Sequence, residues 1–296
     1  MKIIGADSAD SVDPVDPQTA SGIEKLRRWR RALSGDSILG LVPTMGALHE
    51  GHRALLRQAR QQCDQVVLTI FVNPTQFSPD EDLETYPRTL QQDLQVARQE
   101  GVDLVWVGDR EELYPAGFQT RIDLPQMAQQ LCGISRPHFF AGVCLIVLKL
   151  FQIVQPQRAY FGEKDYQQLK IIQRMTVDLD IPIEVLGCPL VREKDGLALS
   201  SRNRYLEDES RRQALTLSAA LFRARELWSE GVVQSAEVKQ QALERLDPAV
   251  DLEYFEVIDR EQLTPLEMVD RGRGAVICMA AIVGGVRLID NIMLEP

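Results

Sequence analysis

The stretch SILGLVPTMGALHEGH, residues 37–52, decides the fold. Residues 37–42 are a short apolar run of the kind that makes a strand covered on both faces. Residues 43–51 carry the punctuation of a loop, one proline and two glycines. From residue 52 to residue 63 apolar positions return with helical spacing. The chain then repeats this strand–loop–helix order. Residues 66–72 and 103–107 read as buried strands, with a helix over 90–100 between them that Gly101 closes. Further on, 143–155 reads as a helix, 158–161 as a strand, 165–179 as a helix and 183–187 as a strand. Alternation at this spacing predicts an α/β fold, a parallel sheet with helices on both faces. Ligands of such sheets bind beyond the carboxyl ends of the strands, so the loops beginning at Pro43 and Asn73 are expected to meet at one rim.

Outward from this core the texture changes. Residues 6–21, rich in Asp, Ser and Pro, predict a mobile leader ahead of a helix over 23–33. After about residue 190 come helical stretches at 208–230 and 235–246, then strand candidates at 252–258, 274–283 and 286–289. This predicts a smaller α+β domain. The expected organisation is a polar leader over 1–22, a main α/β domain over 23–188 and a C-terminal domain over 189–296.

Bulk properties exclude several classes. With 45% hydrophobic and 26% charged residues, the 296-residue chain is globular in composition and long enough for one large domain or two. Its net charge of −10 argues against a nucleic-acid partner, while a small anion such as ATP responds to local charge instead. Five cysteines, at 63, 132, 144, 188 and 278, form no CxxC pair, and with three histidines in all a Cys/His zinc site is not expected. Scattered thiols, the lack of an apolar signal segment and a longest apolar stretch too short for a bilayer predict a cytoplasmic location with no membrane partner.

Four segments carry chemistry. His49 and His52, three apart at a helix start and between Gly46 and Gly51, suit phosphate: imidazoles donate to phosphate oxygens and glycines let them approach the backbone. A metal site lacking an obvious third ligand, or a pair of surface histidines, is the alternative. Asn73 and Gln76, just after a strand, suit the hydroxyl and carboxylate of a small polar substrate; the segment also reads as an ordinary Asn-Pro turn. Lys164 follows Gly162 at a strand end and can neutralise a leaving group, or the segment is a solvated turn with Asp165 as a cap. Ser200, Ser201 and Arg202 form a second phosphate-gripping loop, or a Ser-Ser cap with an exposed arginine. The histidine loop and the Ser-Ser-Arg loop together point to a nucleotidyl transferase that closes ATP between them.

With these segments in hand, the chain resembles the pantoate–β-alanine ligase (pantothenate synthetase) family. The matching segments are PTMGALHEGH (43–52), FVNPTQF (71–77), KLFQIVQP (149–156), FGEKDYQQL (161–169), DGLALSSRNRYL (195–206) and RLIDNIMLE (287–295), in family order over about 38–296. The resemblance implies a Rossmann-like sheet of the HxGH nucleotidyltransferase type, with a smaller C-terminal domain that lids the site, and a homodimer. It implies a two-step reaction with ATP and Mg2+: pantoate becomes pantoyl adenylate with loss of pyrophosphate, then β-alanine displaces AMP to give pantothenate. Carried over by position, Met45, Gly46, Ala47, Leu48, His49, Glu50, Gly51 and His52 contact ATP, with His52 as proton donor. Gly162, Glu163, Lys164, Asp165 and Val191 line the nucleotide site, and Leu199, Ser200, Ser201 and Arg202 hold phosphates. Gln76 contacts pantoate and β-alanine, and Gln168 contacts pantoate.

One stretch departs from the family. Where the family reads Arg-Pro-x-His-Phe-x-Gly-Val, this chain has Arg136-Pro137-His138-Phe139-Phe140-Ala141-Gly142-Val143, so Phe139 takes the histidine position. Leu145 takes that of a threonine. Both changes make the expected pantoate wall more apolar and predict altered substrate affinity or rate with the reaction retained. The sequence leaves two rivals: a related transferase acting on a phosphate ester, and a nucleotide binder that has lost catalysis.

Overall fold

A computed structural model of the chain describes residues 1–5, 22–78 and 83–296. The expected mobile leader, 6–21, lies outside them. The elements in order are β1 (Lys2–Ile4), α1 (Gly22–Arg31), β2 (Leu39–Thr44), α2 (Glu50–Gln62), β3 (Gln65–Ile70), α3 (Leu90–Gln99), β4 (Leu104–Val107), α4 (Arg110–Leu113), α5 (Pro125–Ala128) and α6 (Cys132–Ser135). Then follow α7 (Phe139–Val154), β5 (Arg158–Gly162), α8 (Tyr166–Asp178), β6 (Glu184–Cys188), α9 (Asp208–Ser229), α10 (Ser235–Leu243), β7 (Asp251–Ile258), β8 (Ala275–Val283) and β9 (Val286–Leu294). Two compact units result. The first is Met1–Leu124, His138–Gly162 and Ile171–Cys188; the second is Pro125–Pro137, Glu163–Lys170 and Pro189–Pro296.

The first unit is built on a parallel six-stranded sheet in the order β1-β4-β3-β2-β5-β6. The central strands are mostly apolar because both faces are covered. On one face Leu55, Leu56 and Ala59 of α2 and Leu94 and Ala97 of α3 pack on Val42, Leu68 and Val105. On the other, α7 packs against α1 and β2. The chain runs outward from β2 to β3 and β4, then returns on the other side of β2 to β5 and β6. The order therefore reverses between β2 and β5, where doubly wound sheets place their ligands.

Local departures from the sequence reading have simple causes. Strand β2 continues through Pro43 to Thr44, because its pairing with β5 ends at Leu41 and a proline is tolerated beyond the two-sided part of a strand. Helix α2 begins at Glu50, ahead of the expected residue 52, because His49 caps it. Lys2–Ile4, which the sequence assigns to the leader, pair with β4 as an edge strand too short to announce itself.

The second unit packs α9 and α10 on the antiparallel sheet β7-β8-β9. Leu217, Leu221 and Trp228 meet Phe255, Ile277, Met279 and Ile292 in one core. The Trp228 indole N–H reaches the Glu295 carbonyl at 2.8 Å. Strand β9 runs past its expected end at residue 289 to Leu294. The apolar pattern breaks at Asp290 and Asn291, yet both are buried, at 4% and 6% exposure. Among the described residues no helix is long and apolar enough to cross a membrane.

Candidate active site

The loop after β2 ends in an unusual helix start. His49 is the N-cap of α2, with an extended backbone, and its Nδ1 accepts from the Gly51 amide at 3.1 Å. His52 acts in the reverse direction: its Nδ1 accepts from the His49 amide at 3.2 Å. This is a capping box made of two imidazoles in place of a hydroxyl and a carboxylate. The ring centroids lie 4.1 Å apart. A neutral imidazole that accepts at Nδ1 carries its proton on Nε2, so each ring is an Nε2–H donor at the positive end of a helix. Glu50, the next residue, pairs its carboxylate with Arg57 and, at 3.8 Å, with Arg53.

A residue the sequence reading missed shapes this loop. Asp93 of α3 is 2% exposed. Its carboxylate accepts from the amides of Ala47 at 3.0 Å and Leu48 at 2.8 Å, and from the Thr89 hydroxyl at 3.2 Å. These bonds hold a left-handed turn, with φ of +83° at Gly46 and +52° at Ala47. A Cβ at Gly46 would meet Asp93 Oδ2 at 3.0 Å, so glycine is required for space as well as for conformation. No local pattern marks Asp93, which lies on a different helix from the loop it holds.

The loops after β2 and β3 meet, as the strand order demands: Gln76 Nε2 donates to Met45 Sδ at 2.9 Å. Asn73, 1% exposed, caps the short 3-10 turn Pro74–Gln76. Its Nδ2 donates to Gln76 Oε1 at 3.2 Å and to the Gly142 carbonyl at 3.1 Å. Its Oδ1 accepts from the Thr75 hydroxyl at 3.0 Å and from the Tyr114 hydroxyl at 2.8 Å. Asn73 thus orients Gln76 and locks the turn onto α7. Gly142 allows that approach, since a Cβ there would run into the Thr75 carbonyl and the Gln76 amide.

At the start of α7, His138 is the N-cap and is exposed, while Phe139 stacks edge-on against Phe140 with centroids 4.9 Å apart. An open cleft of ≈ 200 Å³ is lined by Thr75, Thr120, Arg121, His138, Ala141, Gly142 and Leu145. His138 therefore lines a cleft that also includes Leu145, and Phe139 is not part of its lining.

The remaining candidates belong to the second unit, apart from Gly162 at the end of β5. Glu163, Lys164 and Asp165 form a 3-10 turn that runs into α8, and Gln168 is half-buried on its first turns. Burial pushes the Glu163 carboxyl above its ordinary range, and Glu295 adds to the effect. Beside Gln168, buried Gln167 donates to the carbonyls of Met127 and Gln130 and accepts from the Cys132 amide. Val191 and Leu199 are joined across a hairpin, Leu199 N to Val191 O at 3.0 Å, closed by the Arg192/Ala198 bridge. Ser200 caps the 3-10 turn Ser201–Tyr205, its hydroxyl accepting from the Arg202 amide at 3.2 Å. Asn203 Nδ2 anchors that turn to Glu193 and the Ala198 carbonyl. The second unit thus brings together Lys164, Val191, Leu199 and the Ser-Ser-Arg loop, with β9 as the element that joins them.

Comparison with known proteins converges on one family. The family model described as pantoate-beta-alanine ligase matches residues 18–293. Pantothenate synthetase of Thermotoga petrophila is 45% identical over 275 residues, covering 92% of this chain and 98% of the relative. A crystal structure of pantothenate synthetase from Thermus thermophilus superposes with a TM-score of 0.88 at 41% identity, covering 100% of both chains. That of pantoate-beta-alanine ligase from Francisella tularensis, complexed with beta-gamma ATP and beta-alanine, gives 0.77 at 34% identity over 93% of this chain and 96% of the other. With its parallel sheet, its imidazole-capped loop and these matches over nearly its whole length, the chain belongs to the pantoate–β-alanine ligase family.

Proposed function

We propose that this ligase uses ATP to condense (R)-pantoate with β-alanine, through pantoyl adenylate, and that the residues named above divide the work as follows. The observation that carries the reading is the imidazole capping box, which fixes two Nε2–H donors at a helix start in a chain of this family. In the first step a pantoate carboxylate oxygen attacks the α-phosphorus of ATP and pyrophosphate leaves. The carboxylate is already ionised at neutral pH, so the step needs positioning and charge neutralisation more than a base. Met45, Gly46, Ala47, Leu48, Glu50 and Gly51 shape the phosphate loop, while His49 and His52 donate to phosphate oxygens, His52 as proton donor. Lys164, Ser200, Ser201, Arg202 and Leu199 hold the remaining phosphate charge. Gly162, Glu163, Asp165 and Val191 line the nucleotide site. Gln76 and Gln168 hold pantoate; Asn73, whose donors and acceptor are all used within the protein, serves the substrate by orienting Gln76 rather than by touching it. In the second step the β-alanine amine attacks the acyl carbon, AMP leaves, and AMP or water takes the amine proton.

Magnesium fits as a companion of the nucleotide. Among the described residues no group of three or more His, Cys, Asp or Glu could cage a metal ion. Magnesium keeps waters and binds phosphates readily, so an ion brought in with the nucleotide would supply charge neutralisation beside the residues that hold the phosphates. We further propose a cytoplasmic homodimer, for which sedimentation giving twice the 33.4 kDa chain mass is the check.

AMP formation that requires both pantoate and β-alanine tests the activity; ATP binding without turnover would sink it. A crystal soaked with pantoate should show Gln76 and Gln168 on one ligand. Because His138 lines a cleft with Leu145, the pantoate constants should change when His138 and Phe139 are exchanged; indistinguishable constants would discard a role for this departure.

A further inference from the structure

The segment RLIDNIMLE (287–295) identifies the family yet takes no part in the reaction steps above. Two of its polar residues, Asp290 and Asn291, interrupt the apolar run of strand β9. Asn291 Nδ2 donates to the Glu163 carbonyl at 2.8 Å and to the Lys164 carbonyl at 2.9 Å. One amide group therefore grips two successive carbonyls of the turn that carries Lys164. Asn291 is itself held. Its amide donates to Asp290 Oδ1 at 2.7 Å, and its carbonyl accepts from Arg192 Nη2 at 3.1 Å. Arg192 meets the Asp290 carboxylate in a bidentate pair, at 2.7 and 2.8 Å. Its Nη1 also donates to the Gly196 carbonyl at 3.0 Å, inside the hairpin that leads to Ser200.

We propose that Asn291 is a positioning residue for Lys164, and that the Arg192–Asp290 pair sets it in register with the Ser200–Arg202 loop. The physical need is plain. A lysine is a point charge on a flexible four-carbon stem, so its reach is defined only as well as its backbone is fixed. A turn anchored only by its own hydrogen bonds can shift by an ångström, and a misplacement of that size costs on the order of 10²-fold in rate. Burial explains why the device uses an asparagine: two donors on one neutral group satisfy two carbonyls without placing a further charge beside Asp290.

The proposal rests on the reading that Lys164 serves the phosphates of ATP, and a double-mutant cycle separates the two ideas. Asn291→Ala, which removes both donors, and Asn291→Asp, which keeps the volume, are each combined with Lys164→Met. Kinetic constants for ATP, pantoate and β-alanine are measured on the full chain, with melting curves to confirm folding. The expected result is a loss of roughly 10–100-fold in kcat/KM for ATP, little change in the KM for pantoate or β-alanine, and less than about a twofold further loss when Lys164 is already Met. Losses that multiply in the double variant, or that move all three substrates alike, would show a merely structural Asn291 and overturn the proposal. If Lys164→Met leaves ATP kinetics unchanged, the reading of Lys164 fails and takes the proposal with it. Should neither Asn291 variant fold, Asn291→Gln, with both donors on a longer stem, carries the same cycle.

Discussion

In His49 and His52 Nδ1 accepts a backbone amide, and in the proposed reaction Nε2 carries the proton offered to phosphate, so each ring would combine two jobs. Substitution can separate them. Asparagine caps helices well through its side-chain oxygen, so His49→Asn should melt near the wild type while losing on the order of 10²–10³-fold in adenylation rate. His52→Ala should lose both functions, with a stability cost of about 0.5–2 kcal/mol. A His49→Asn variant with full activity in a pyrophosphate-release assay would remove the ring from the chemistry. Asp93→Asn replaces a carboxylate that serves two amides with a group that can serve them only through one oxygen. It should destabilise by about 1–3 kcal/mol and raise the KM for ATP more than that for pantoate. At this scale the sequence was readable where a residue type is scarce and stands beside glycine, as with the two histidines. It was silent where a common residue acts from far along the chain, as Asp93 and Asn291 do.

Elements meet through contacts with no slack. The 3-10 turn Pro74–Gln76 sits against α7 at Gly142, so Gly142→Ala should push the turn away, lower the melting temperature and raise the KM for pantoate through Gln76. Unchanged pantoate constants would exclude Gln76 from that subsite. Helices α2 and α3 are tied by Glu100, which accepts from Arg53 at 2.6 Å and Arg57 at 2.9 Å. Burial alone would raise the Glu100 carboxyl, but the hydrogen bonds from both arginines outweigh it and hold the group below its ordinary 4.5. Its stabilising contribution is therefore present above pH 4.5 and fades as pH falls through the lower folded value. Glu100→Gln should melt roughly 2–4 °C lower at neutral pH, with the gap to wild type closing as the pH drops below that range. The longer elements were legible from apolar periodicity, whereas their ends and the short elements β1, α4, α5 and α6 were not. Caps decide ends, and a histidine cap or a buried Asp-Asn pair within a strand runs against the usual signals.

For the molecule as a whole, alternation of strands and helices predicts a parallel sheet, but not its order. Strand pairing is non-local, so neither the reversal between β2 and β5 nor the place of β1 at the edge could be read from spacing. The grouping of Pro125–Pro137 with the C-terminal unit is likewise invisible in sequence, because it depends on the buried amide of Gln167. All five cysteines are buried. Burial pushes the thiols of Cys144 and Cys278 up to about 12, so the reactive thiolate is scarce at neutral pH. The native protein should resist a disulfide-type thiol reagent and release five equivalents only after denaturation. One rapidly labelled thiol at neutral pH would show that its surroundings open in solution.

The imidazole cap also limits what can be engineered at the loop after β2, where the nucleotide is proposed to bind. Lysine or arginine would bring a permanent charge toward phosphate but offers no acceptor, leaving the amides of Gly51 or His49 without a partner. Serine or asparagine would keep the helix start and forfeit the ring donor. An imidazole accepts at one nitrogen and donates from the far side of the ring, a reach that the hydroxyl of serine and the shorter amide of asparagine do not share, so this site cannot be made permanently cationic without loosening the helix that forms it.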